Sequence, residues 1–216
     1  MGRRRLPDTG CVPEGAGEGP GGRDQDPLDL IEFANGPVTS PGAASARAGA
    51  PEPFGLTHTE AGNEENLPHE FFERFTQFRA AIEAKYPDVT VAFDSGPAAS
   101  GTAWELSRDA GVAMVDEHHH NSPQWFPENN NRYDTYDRSG PEVFLGEYAS
   151  QGNTFGDGLA EAAFMTGLGR NADVVELASC EPLLVNEDYV QRQPDLIWFN
   201  NQAARGPADY EVQKLS

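Results

Sequence analysis

The chain has 216 residues and a formal net charge of −20, with 35 acidic against 15 basic side chains. Such a charge is repelled by phosphate backbones and anionic lipid, which argues against nucleic-acid binding and a membrane partner. No apolar run approaches the roughly 18 residues that span a bilayer, and Met1-Gly2-Arg3-Arg4-Arg5 has no apolar stretch behind it, so no secretory leader is expected and a cytoplasmic location is the default.

Hydrophobic residues make up 38% of the chain against 23 Gly and 17 Pro, which concentrates the core in part of it. Residues 1–25 are dominated by Gly, Pro and charge and are expected to form a disordered leader, leaving 26–216 as the folded part. Leu28, Leu30, Ile31 and Phe33 can close one helical face, which Asn35-Gly36-Pro37 ends. Residues 54–61 alternate as a short strand. Phe71, Phe75, Phe78 and Ile82 then lie on one face of a helix from Pro68 to about Lys85, with proline suited to its first position. Further strands are expected at 89–93, 112–115, 143–145 and 174–177, with helices at 102–110 and 159–168. A polar, aromatic loop holding Trp125, Phe126 and Asn129 to Asn131 separates the third strand from the fourth. Cys11 and Cys180 stand outside any CxxC pair and are expected to be free thiols.

Connections this long between strands imply helical crossovers and parallel pairing, hence an α/β fold. Polar residues gather after the strands, where parallel sheets and (β/α)₈ barrels build their sites. About five strands are visible where a closed barrel needs eight, so the expected architecture is a partial (β/α)₈ barrel of C-terminal βα units.

Two glutamates stand at strand ends: Glu64 in Gly62-Asn63-Glu64, and Glu147 in Gly146-Glu147-Tyr148. In a parallel barrel both project into one mouth. Glycoside hydrolysis needs two such carboxyl groups, one carrying a proton and one ionised. The competing reading is that Glu64 and Glu65 merely favour the start of the Pro68 helix, and that Glu147 is an ordinary solvated strand-end residue.

Local sequence weighs on that choice. From Asp26 to Ser216 the chain resembles the catalytic region of the α-L-arabinofuranosidases of glycoside hydrolase family 51. The resemblance rests on Leu30-Ile31-Glu32-Phe33-Ala34-Asn35-Gly36, Pro51-Glu52-Pro53-Phe54, Gly62-Asn63-Glu64-Glu65-Asn66 and Val115-Asp116-Glu117-His118. It continues through Ser122-Pro123-Gln124-Trp125-Phe126, Arg132-Tyr133-Asp134, Val143-Phe144-Leu145-Gly146-Glu147-Tyr148-Ala149, the stretch 159–168 and Asn171-Ala172-Asp173-Val174-Val175. It implies a retaining, exo-acting enzyme that needs no cofactor and removes terminal arabinofuranosyl units from arabinose-containing oligo- or polysaccharides. On it Glu64 is the general acid/base, Glu147 the nucleophile, and Asn63, His118, His120 and Trp125 bind substrate. A homo-oligomer is also implied.

Three departures qualify the resemblance. The family's early strands have no counterpart here, its β-sandwich would follow Ser216, and His120 stands where relatives carry a tyrosine. Two alternatives therefore stay open: an inactive barrel fragment that only binds carbohydrate, and an acidic metal-binding module built on His118-His119-His120. On an extended segment only His118 and His120 share a face, which falls short of the three or four ligands of a zinc site, so no metal is expected. Trp125 either stacks on a sugar or packs beneath its loop.

Overall fold

A computed structural model describes residues 25–40, 49–96 and 101–215. Apart from Gln25, the expected disordered leader lies outside the described residues. Two compact units divide the chain, one ending at Gly55 and the other running from Leu56. In the first, α1 (Gln25–Asn35) stops where Gly36 N–H returns to Glu32 O at 2.8 Å. The ring of Phe33 meets that of Phe54 edge-on, with centroids 6.0 Å apart.

The second unit is built on five parallel strands in sequential order. These are β1 (His58–Ala61), β2 (Thr90–Asp94), β3 (Met114–Asn121), β4 (Glu142–Ser150) and β5 (Val175–Cys180). Between them run α2 (Pro68–Lys85), α3 (Gly101–Asp109), the short α4 (Trp125–Glu128) with a 3₁₀ turn at Arg132–Thr135, and α5 (Phe155–Arg170). Each β-to-β step is a helical crossover. The fold is therefore α/β, a run of consecutive (β/α) units forming part of a barrel.

The helices form for local reasons. α2 starts with Pro68, whose missing N–H costs nothing in a first turn, and it buries Phe71, Phe75 and Ile82. Phe71 and Phe75 close on Phe93 of β2, with centroids 5.4 and 4.8 Å away. A capping box starts α5: Thr154 accepts from Asp157 N–H, and the Asp157 carboxylate accepts from Thr154 N–H at 3.1 Å. Its buried face joins Val143, Leu145 and Tyr148 of β4 in the main core, with Phe126, Tyr133 and Phe164.

Three expectations change. The strand expected over residues 54–61 is confined to His58–Ala61. β3 continues through the whole histidine tract because it pairs with β4 as far as Asn121↔Ser150. The expected loop at Trp125 is a helical turn, its first N–H held by Ser122 O at 3.0 Å. A second sheet, not anticipated, joins β6 (Leu184–Asn186), β7 (Ile197–Phe199) and β8 (Ala204–Arg205), followed by α6 (Ala208–Gln213). Among the described residues no helix is long and apolar enough to cross a membrane.

Candidate active site

Parallel strands deliver their C-terminal ends to one edge, and the acidic side chains collect there. Along β3 successive side chains alternate, so Asp116, His118 and His120 share one face while Glu117 and His119 share the other. β4 bulges at the decisive place: Phe144 pairs with Asp116 and Glu147 with His118, so β4 uses one residue more than β3. A bulge re-aims the side chain that follows it. Gly146 makes this bulge feasible, since its N–H donates to Asp116 Oδ1 at 2.7 Å and a Cβ there would collide with the same carboxylate.

Glu64 lies in the turn after β1 with φ +53°, the one non-glycine residue with positive φ among those described. Side chains with a Cβ seldom adopt that left-handed conformation, and such strain concentrates at functional sites. The turn is pinned from below, where Asp94 accepts from Glu65 N–H at 2.7 Å and from Gly96 N–H at 2.7 Å.

These supports bring Glu64 and Glu147 together. Ligand-type atoms of Glu64, His120 and Glu147 all lie within 4.8 Å of one another. His118 sits beneath them, its Nδ1 3.2 Å from Glu64 Oε1 and 3.6 Å from Glu147 Oε2. Its Nε2 is 2.7 Å from Asp116 Oδ2. His120 Nε2 lies 3.0 Å from Glu147 Oε2 and 3.4 Å from Glu181 Oε2.

Charge is arranged in layers. Burial disfavours a charged His118, yet the hydrogen bond and charge of Asp116, with Glu64 and Glu147, raise its pKa to about 9. Deeper still, burial and the neighbouring Asp116 charge push Glu60 up to about 9, so its carboxyl keeps its proton at neutral pH. Burial also raises Asp94 and Glu181, the latter helped by the Glu147 charge. A protonated floor, a cationic imidazole and two partly open glutamates follow one another toward solvent. Such a site can offer one carboxyl as a proton donor and another as a nucleophile, and it can attract cations. Glu60, Asp116 and His118 also cluster with metal-ligand spacing, but Asp116 and His118 are already engaged with each other.

Of the residues singled out by sequence, Glu64, Glu147, His118 and His120 converge here. Asn63 is exposed in the same turn as Glu64. Trp125 joins a different cluster, with centroids 5.0 Å from His119 and 5.6 Å from Phe164, against the core and on the other face of β3. Sequence reasoning missed Glu60, Asp94 and Glu181 as parts of the site. The usable signal was their position: Glu60 and Asp94 lie at or next to strand ends, and Glu181 directly follows β5. Cys180 is a free thiol, and Cys11 lies outside the described residues.

Comparison with known proteins adds the context. Residues 22–138 match the family profile "Alpha-L-arabinofuranosidase 1 domain", and residues 125–216 match "Alpha-L-arabinofuranosidase C-terminal domain". An extracellular exo-α-L-arabinofuranosidase of Streptomyces chartreusis is 68% identical over 196 residues, covering 88% of this chain and 24% of that protein. α-L-arabinofuranosidase 1 of Arabidopsis thaliana is 35% identical, covering 88% of this chain and 28% of its own length. Among solved structures, an arabinose-bound MgGH51 α-L-arabinofuranosidase aligns with TM-score 0.78 and 31% identity over 89% of this chain and 33% of that one. The Thermotoga maritima enzyme shares the fold, with TM-score 0.70 at 16% identity over 89% of this chain and 46% of that one. This chain thus spans about a quarter of the length of the two curated relatives, 24% and 28%.

Proposed function

We propose that this chain, which belongs to the α-L-arabinofuranosidases of glycoside hydrolase family 51, is the part of a retaining, exo-acting arabinofuranosidase that carries both catalytic carboxylates. Residues 26–216 are its barrel portion. One observation carries the reading: oxygens of Glu64 and Glu147 lie within 4.8 Å of each other. That agrees with the separation of about 5–5.5 Å in retaining enzymes and not with the roughly 6.5–9.5 Å of inverting ones, which leave room for a water.

In the first step Glu147 attacks the anomeric carbon of a terminal arabinofuranosyl unit, and the bond to the leaving oxygen breaks as Glu64 protonates that oxygen. In the second, Glu64 takes a proton from water, whose oxygen displaces Glu147 and releases arabinose with its configuration kept. His118 touches both glutamates, and Asp116 on its far nitrogen fixes the ring's orientation. His120, hydrogen-bonded to Glu147, lies beside the nucleophile where it can also meet a sugar hydroxyl, and Asn63 offers an exposed donor and acceptor. The substrates are arabinose side chains of oligo- and polysaccharides. The extracellular description of the Streptomyces relative favours a secreted protein over the cytoplasmic default.

The test is release of 4-nitrophenol from 4-nitrophenyl α-L-arabinofuranoside by the wild-type chain and by Glu147→Ala. Turnover by the wild type alone, with the α-product seen first by NMR, supports the reading. Equal inertness of the two folded proteins refutes catalysis by this chain.

A further inference from the structure

Two carboxylates compete for one imidazole at the mouth. His120 Nε2 faces Glu147 Oε2 at 3.0 Å and Glu181 Oε2 at 3.4 Å, yet a ring nitrogen carries a single proton. Glu181 Oε2 is shielded from water and lacks a hydrogen-bond partner. His118 Nδ1 is likewise shared, 3.2 Å from Glu64 Oε1 and 3.6 Å from Glu147 Oε2, but its other nitrogen, Nε2, is held by Asp116 at 2.7 Å. One N–H cannot serve both oxygens around His120, whereas a cation accepting a lone pair from each group would.

We propose that the mouth binds one divalent transition-metal ion, with Zn²⁺ as the fitting case, through His120 Nε2, Glu147 and Glu181, with Glu64 within reach as a fourth ligand. Zinc holds imidazole nitrogen and carboxylate oxygen at about 2.0–2.2 Å, so neighbouring ligands of a tetrahedral site lie roughly 3.3–3.5 Å apart. The nitrogen-to-oxygen spacings here, 3.0 and 3.4 Å, fall close to that edge. Glu64 completes the set within 4.8 Å of His120 and Glu147, a gap that a side-chain rotation closes. The four side chains are 21–38% exposed, so an ion reaches them from solvent. One imidazole among carboxylates selects zinc over magnesium, which prefers oxygen alone and gives up its waters reluctantly.

Such an ion occupies the space between Glu64 and Glu147. Resting on the catalytic reading above, it follows that zinc competes with the sugar. Arg192 Nη1, 3.8 Å from Glu181 Oε1 and exposed, leaves Oε2 free for the ion.

Isothermal titration of the full chain with ZnCl₂ tests the binding without turnover. The expected result is one ion per chain, affinity lowered at least about tenfold in Glu181→Gln, saturable heat lost in His120→Phe, no change in the surface control Glu105→Gln, and no heat from MgCl₂. Circular dichroism of each variant establishes that it is folded. In the arabinofuranoside assay zinc should raise KM and leave kcat unchanged. Folded His120→Phe or Glu181→Gln binding zinc as the wild type does overturns the site, as does absence of saturable heat in the wild type. Zinc binding that is sensitive to these variants in a chain without turnover upholds the site and refutes the catalytic reading. Turnover without zinc binding does the reverse.

Discussion

On the outer face of β3, Glu117 receives every hydrogen bond that its two oxygens can use. Trp104 Nε1 and Tyr136 OH donate to Oε1 at 3.0 and 2.7 Å, while Arg132 Nε and Tyr133 OH donate to Oε2 at 3.3 and 3.2 Å, with His119 Nε2 also 3.2 Å away. On the inner face Asp116, the neighbouring residue of β3, crowds with Glu60 of β1 and Asp94 of β2, and Glu181 Oε2, just past β5, makes no hydrogen bond. Burial acts on both faces alike, toward the neutral acid. On the outer face the His119 hydrogen bond and the Arg132 charge outweigh it and hold Glu117 down to about 2. On the inner face like charges add to it and Glu60 rises to about 9. The two faces of the sheet thus serve opposite ends: Glu117 of β3 is a fixed charge that ties α3 and the 3₁₀ turn to the sheet, and Glu60 of β1 is a proton-holding floor under an open mouth.

The sharpest break in this comparison comes from exchanging carboxylate for amide on each face. Glu147→Gln should lower arabinofuranoside turnover on the order of 10⁴-fold with little change in the unfolding midpoint. Glu117→Gln should do the opposite, costing about 3 kcal/mol of stability because a buried, fully bonded charge is lost. The pH course checks the cause. A carboxylate held below its usual 4.5 stabilises the fold fully above pH 4.5 and loses that contribution as pH falls toward 2. Between those limits the wild type should lose its advantage over Glu117→Gln in urea melts, and a constant gap would refute the assignment.

For Glu60 the sign reverses. Its folded value near 9 lies above 4.5, so its contribution is complete below pH 4.5 and is lost as pH rises toward 9. Glu60→Gln mimics the protonated acid and keeps a donor toward Asp116. It should therefore raise stability by about 2 kcal/mol at neutral pH and change nothing at pH 4. A loss of stability at pH 8 would show that the carboxylate is ionised and useful there.

How much of this could be read from the residues depends on length and on neighbours. α2 was legible because a phenylalanine stripe at helical spacing follows a proline, and the structure returns the same ends, Pro68 and Lys85. Glu64 and Glu147 were conspicuous as acids at apolar strand ends. Glu181 was not, because the apolar pattern of β5 fades at Leu177 while the ladder runs on to Cys180 through its pairing with Tyr148. Only tertiary pairing carries that strand far enough to put Glu181 beside His120. The side of β3 that Trp125 would join was equally hidden: a four-residue helix has no period to read, and packing on His119 and Phe164 decides it. β6, β7 and β8, of two or three residues each, are too short for alternation to register.

The smallest effect probes the redundancy of the outer face. Tyr136→Phe removes one donor to Glu117 Oε1, but Trp104 Nε1 still donates to that oxygen at 3.0 Å, so no buried acceptor is orphaned. The cost should be only about 1 kcal/mol, the net worth of a single hydrogen bond. The edge-on contacts of residue 136 with Trp104 and Tyr133, centroids 5.4 and 4.9 Å away, survive because the ring stays. Losing one of several donors should leave Glu117 ionised, so the acid-unfolding curve should move only slightly toward higher pH. If instead Tyr136→Phe costs as much as Glu117→Gln, the donors act as one indivisible unit, and the contrast between a redundant outer cluster and an under-satisfied inner one loses its footing.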